Sequence, residues 1–319
     1  MRRLVPILLA LAAVGILFAV LLKFRHSAAP AKPTPTATPA VLSGPILPLR
    51  RCARPPAFLS RQLGRTPIRI DLTQRAYRGI AFLYGPRFGR VLHRKEWERF
   101  GPLGTYALDP MGNLYLAPMP FISIEPTTFE HQRFLYKMDS QTGRLSPLKR
   151  FEDIHPSARN PYGLISLAYD CEDGTLWTSS LDESDYRSQK GVIYHLNPRS
   201  GQILQELPGF DALTIALAHS SGEKLLLAGS ARDNALYAFP IQKGRLEGPP
   251  VKVLELPDPQ LHIRRIRILG PDKLRLEAIP FNYSLVAEHG REYRIEYEAS
   301  RTTRSRKWNI MRLSKSSLR

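Results

Sequence analysis

Residues 164–204 hold four short apolar runs punctuated by tight turns, a pattern that leaves no run long enough for an ordinary helix. Leu164-Ile165-Ser166-Leu167-Ala168-Tyr169 comes first, and Asp173-Gly174 supplies the left-handed residue that a hairpin needs. Leu176-Trp177-Thr178-Ser179-Ser180 follows. After the acidic stretch 182–191 comes Val192-Ile193-Tyr194-His195-Leu196, rich in strand-forming side chains. The turn 197–201 then opens the outermost run, Gln202-Ile203-Leu204. One such sheet cannot cover both of its faces. Several packed around an axis can, leaving only short edges exposed.

The unit recurs. Upstream, residues 104–107, Leu114-Tyr115-Leu116-Ala117, Phe134-Leu135-Tyr136-Lys137-Met138 and Arg144-Leu145 repeat the order. Downstream, residues 213–218, 225–228, 235–239 and Arg245-Leu246 repeat it again, and residues 263–268, 274–276 and 293–297 make a further copy. Gly174, Gly222 and Gly270 lie roughly 48 residues apart, a period that belongs to propellers and solenoids. The longer gap after Gly112 is assigned to inserted loops. The expectation is an all-β fold, a β-propeller of five or six four-stranded blades over residues 51–313, with a generic β-sandwich as the alternative. Residues 66–93 form a degenerate first blade, 95–99 a short helical turn, and 307–313 a strand that closes the ring on the first blade.

Residues 4–22 are an uninterrupted apolar run behind Arg2 and Arg3, about the length that crosses a bilayer as a helix. Lys23, Arg25 and His26 follow at once, which favours an uncleaved signal-anchor over residues 1–26 rather than a cleaved signal peptide. Residues 27–50 form a Pro/Ala/Thr-rich spacer. Such a spacer suits a domain held off the periplasmic or extracellular side of a bacterial inner membrane. Flanking charges are nearly balanced, so the spacer rather than the charge count orients the chain. The net charge of +18 points to anionic partners, or to a merely arginine-rich surface. No specific nucleic-acid motif is visible. The tail 314–319, with Arg301, Arg304, Arg306, Lys307 and Arg312 before it, would suit anionic lipid headgroups.

Nucleophile elbows, zinc helices, phosphate loops and dinucleotide fingerprints are absent from the sequence. Asn160, Tyr162, Asp211 and His262 stand just before, or at the start of, innermost strands, where a propeller rings one mouth of its channel. With Asp233 they are the ligand-binding candidates; Asp233-Asn234 and Glu125 lie on matching inter-strand loops. Ordinary turn chemistry is the alternative. Asp182, Glu183 and Asp185, together with Glu125, are the weak candidates for a divalent cation, although their spacing is not that of a calcium loop. Cys52 and Cys171 either pair in an oxidising compartment or stand as unrelated thiols. Asn282-Tyr283-Ser284 fits a glycosylation acceptor.

Asp109-Pro110-Met111-Gly112-Asn113-Leu114-Tyr115, Asp173-Gly174-Thr175-Leu176-Trp177 and Ile193-Tyr194-His195-Leu196-Asn197-Pro198-Arg199-Ser200-Gly201 resemble the rhythm of NHL and gluconolactonase/regucalcin-like propellers. The resemblance covers residues 104–246 and implies the fold. The lactonase-like enzymes hold a divalent metal at the channel mouth, for which Glu125, Asn160 and Asp211 or Asp233 are the matching residue types. Their flanking sequences depart from that family's metal motifs, so the activity is not carried over. The leading expectation is a membrane-anchored binding module without catalysis. A metal-dependent lactonase-like hydrolase is the alternative.

Overall fold

The computed structural model describes residues 44–120, 129–284, 294–301 and 307–313. Its strands build five sheets in sequence order, each an antiparallel meander. The first blade has three strands, Ile68–Asp71, Ala81–Tyr84 and Arg90–Leu92. The second has Leu103–Leu108, Leu114–Pro118, Phe134–Met138 and Leu145–Arg150. The third has Leu164–Asp170, Thr175–Ser180, Val192–Leu196 and Ile203–Pro208. The fourth has Ala212–Ser220, Glu223–Ser230, Ala235–Gln242 and Val251–Glu255. The fifth has Leu261–Gly270, Lys273–Pro280, Ile295–Ser300 and Asn309–Arg312. The blade number is therefore five.

Neighbouring blades bury one another's apolar faces. Phe82 of the first blade packs with Leu114 and Leu116 of the second. Tyr115 and Leu135 meet Leu164 and Leu176 of the third. Trp177 and Ile193 meet Leu226 and Phe239 of the fourth. Leu225 and Leu236 meet Leu274 and Leu276 of the fifth. Each fully buried Leu or Phe contributes about 1.5–3 kcal/mol, so these interfaces carry the fold.

Two expectations are corrected here. Asn309–Arg312 does not close the ring on the first blade; it pairs with Ile295–Ser300 as the outer strand of its own blade. Arg245–Leu246, read as the outer run of the fourth blade, covers only Ile241 and Gln242, and Val251–Glu255 is the outer strand. Among the described residues no hydrophobic cluster joins the fifth blade to the first.

A strap on the underside ties the blades together instead. Its described part runs from Gly44, within the last residues of the expected spacer. Ile46 donates its N–H to the Asp272 carboxylate at 3.0 Å and accepts the Asp272 N–H at 3.0 Å, gripping the inner hairpin of the fifth blade. Leu47–Pro48 pairs antiparallel with His219 and Ala218 of the fourth. Cys52 forms a disulfide with Cys171 in the inner hairpin of the third. Arg54 donates its N–H to Asp109 O in the second. The helix Ala57–Leu63 then seats Phe58 and Leu59 in the first-to-second interface, with Phe58 edge-on to Trp97. Arg301 belongs to this strap and not to a free basic tail: it bonds Gly44 O and pairs with Asp272.

Candidate functional site

The first strands of the four complete blades share one irregularity. In each, one residue near the start, the second in three blades and the fourth in the last, has no register partner: Gly104, Ile165, Leu213 and Arg264. A bulge re-aims the extra residue and twists the strand. Because these strands line the axis, the bulges turn side chains toward the head of the channel. Ile165 and Leu213 accordingly join Leu181, Ala231 and Tyr283 in one buried cluster, with Tyr162 and Phe281 packed on it.

Aromatic rings crowd this mouth. Phe281 lies 5.4 Å from Tyr162, 5.1 Å from Tyr283 and 5.9 Å from His262, measured between ring centroids. Tyr186, 68 % exposed, stands edge-on to Tyr283 at 5.5 Å. Arg232 holds the loop carrying Tyr186 by donating to the carbonyls of Asp185, Tyr186 and Ser188, with its guanidinium over the Tyr283 ring at 5.9 Å.

Asp211 is the hub of the site. It is fully buried, and its Oδ1 accepts from Ser184 Oγ at 2.6 Å and Gly191 N–H at 2.8 Å. Its Oδ2 accepts from Tyr283 O–H at 2.6 Å. One carboxylate thus joins loops of the third, fourth and fifth blades. Gly191 is required beside it, because a Cβ there would meet the Asp211 carboxylate and the Phe210 carbonyl. Burial, and then the bond to Asp211, push the Tyr283 phenol far above its usual range.

The sequence candidates divide between this mouth and plain turn chemistry. Asn160 is buried and spent: its Nδ2 donates to Leu181 O at 2.6 Å and Ser184 O at 2.8 Å, and its Oδ1 accepts Tyr162 N–H. Tyr162 flanks the cluster, its phenol pushed up to about 12 chiefly by burial. His262 is half-buried at the edge of Phe281; burial holds its pKa below the usual value, and its Nδ1 has no partner among the described residues. Asp233 accepts from Tyr237 O–H at 2.7 Å and from Ala235 N–H, and so serves its own blade.

The acidic loop does not gather its carboxylates. Asp182 is buried and accepts His155 N–H at 2.7 Å through Oδ2, while Oδ1 has no partner among the described residues. Burial raises its pKa against that hydrogen bond. Glu183 pairs with Lys190 at 3.0 Å, and Asp185 caps the turn at Arg187 and Ser188. Among the described residues no three His, Cys, Asp or Glu side chains form a metal-holding group. Glu125, the run 4–22, the spacer before Gly44 and the tail 314–319 lie outside the described residues. No helix among the described residues is long and apolar enough to cross a membrane. The Asn282 side chain turns back on Ser284, beside the buried Tyr283.

Sequence reasoning missed Arg264, Phe281, Tyr283, Tyr186 and Arg232. Arg264 did leave a trace. Ile263, Ile266 and Ile268 are spaced by three and then two, and the extra step marks the bulge.

No protein-family model matches the chain, and no curated protein matches it in sequence. Solved structures similar to it include a Bacteroides ovatus protein described as xyloglucan PUL GH43B, at 11 % identity and TM-score 0.37, over 63 % of this chain and 39 % of that one. The chain therefore spans well under half the length of that relative. A protein of unknown function from Bacteroides caccae is 12 % identical with TM-score 0.33, over 73 % of this chain and 90 % of that one. The PQQ-bound aldose sugar dehydrogenase of Streptomyces coelicolor is 12 % identical with TM-score 0.27, over 76 % and 99 %. At these identities and scores the likenesses bear on none of this chain's chemistry. The fold rests on the strand order of the chain itself, which is that of a five-bladed β-propeller.

Proposed function

We propose that this protein is a membrane-anchored, extracytoplasmic propeller that binds an envelope component through the loops at its mouth. The observation that carries this reading is the convergence of Tyr162, Phe281, Tyr283 and exposed Tyr186 from three loops onto one end of the channel. Rings of this kind offer large contact area with few rotatable bonds, and tyrosine adds a polar tip. The apolar run at 4–22 and the spacer behind it support the tether. The Cys52–Cys171 disulfide supports an oxidising compartment. Binding is preferred over lactonase-like catalysis because Asn160, Asp211 and Asp233 are already engaged in holding loops.

The test is site-specific photo-crosslinking of the full chain in intact cells. A crosslinker at Tyr186 is expected to trap an envelope component, while one at Met111, exposed on the underside, traps none. Equal yields from both positions would remove the mouth as the docking face.

A further inference from the structure

The channel contains a cation with no counter-ion among the described residues. Arg264 is the bulged residue of the fifth blade's first strand. Its Nη1 donates to Leu213 O, the bulged residue of the neighbouring blade, at 3.3 Å, so the guanidinium lies along the channel wall. Among the described residues it makes no ion pair. Glu277, the described carboxylate whose charge reaches it, pairs instead with Arg265 at 3.3 Å and Arg294 at 3.9 Å. Protein atoms crowd the side chain, yet part of its surface stays reachable. Burial, joined by the like charge of Arg265, drops its pKa to about 10, still protonated at neutral pH.

An arginine partly withdrawn from water without a counter-ion is costly, and of a guanidinium's five donors one is used among the described residues. Its planar fork matches a carboxylate edge to edge. One buried positive charge balances one negative charge; a phosphate monoester would bring nearly two. Beside it lie the Tyr162 phenol and the Ile165–Leu213 cluster, with Phe281 beyond. These surfaces accept the face of a flat ring.

Resting on the reading of the mouth as a binding site, we propose that Arg264 anchors a small six-membered-ring ligand bearing a single carboxylate, held at the head of the channel with its ring against Tyr162. A sugar acid and an aromatic acid share this chemistry.

The experiment uses the full chain in detergent and follows thermal stability and equilibrium binding with four probes: D-glucuronate, D-glucuronamide, benzoate and glucose 6-phosphate. Glucuronate or benzoate should raise the melting temperature in proportion to the logarithm of its concentration, and the ring that binds distinguishes the two sources. Arg264→Met should weaken carboxylate binding by about 10- to 100-fold, the worth of a charge-assisted bond. It should also leave the unliganded protein at least as stable as the wild type, because it removes an unpaired buried charge. If Arg264→Met fails to fold, the wild-type comparison decides by itself. Equal binding of glucuronate and glucuronamide, tighter binding of glucose 6-phosphate, or no binding of either carboxylate would overturn the proposal. If crosslinking at Tyr186 still succeeds in those cases, the mouth remains a docking face and only the carboxylate assignment falls.

Discussion

Asp211 shows how one side chain does the work of several contacts. Removing it leaves Gly191 N–H, Ser184 and the Tyr283 phenol without their acceptor in a dry setting. Asp211→Ala is therefore expected to lower the unfolding free energy by about 3 kcal/mol or more, against about 1–2 kcal/mol for Tyr283→Phe. Urea unfolding of both variants and of the double mutant checks this, and the shared bond predicts losses that do not add. His195 makes a different prediction. Its ring is stacked on Trp177 at 3.9 Å, buried, with neither nitrogen bonded among the described residues, and burial holds its pKa at about 4 against 6.5 in an unfolded chain. The unfolded state thus takes the proton first. Stability is full above pH 6.5 and falls as pH drops toward 4, by up to about 3 kcal/mol. His195→Leu should flatten that acid limb in melts at pH 7, 5.5 and 4 while preserving the neutral-pH value. Neither residue's role was legible from sequence. Asp211 reads there as a ligand candidate at the mouth or a loop former after Phe210, and not as a hub, because the donors to its carboxylate come from residues 20 to 72 positions away.

At the scale of elements, the sequence carried the blades well and their joins poorly. Asp-Gly and Asn-Pro turns with β-branched runs located every strand of the third blade, since hairpin chemistry is local. The fourth blade's outer strand was misplaced because Arg245–Leu246 has the right turn before it but pairs over only two residues. Of the strap only the Cys52–Cys171 pairing was legible, as one of two alternatives, because nothing in residues 44–56 is periodic and its partners are distant. Its disulfide closes a separation of 119 residues, so Cys52→Ser is expected to lower stability by about 4–5 kcal/mol if loop-closure entropy acts in full. Denaturant melts with and without reductant measure it. The wild type under reductant should match Cys52→Ser, and the mutant should not respond to reductant.

At the scale of the molecule, the tether belongs to a segment whose composition alone speaks. If residues 1–26 are the proposed anchor, deleting them is expected to move the protein from the carbonate-resistant membrane fraction to the soluble fraction without changing the melting temperature of the propeller, because every described contact of the strap is made from Gly44 onward. A protein that stays membrane-bound after that deletion would assign attachment to the basic surface instead, and high salt would then release it. Radial order was legible because each blade needs neighbours to cover its faces, while the repeat narrowed the count only to five or six and the strand order makes it five. The way the circle is fastened was not, because the fastening is a single copy of an irregular segment and repeats nowhere.

That fastening has a consequence for biogenesis. Ile46 grips Asp272 across 226 positions, so its partner is synthesised only after four blades have left the ribosome. The portion of the domain made first is the portion that settles last. Until then Ile46 stays unseated, although Phe58 and Cys52 find their partners in earlier blades. A product truncated before the fifth blade has nowhere to put Ile46, and it leaves that end of the strap open to proteolysis.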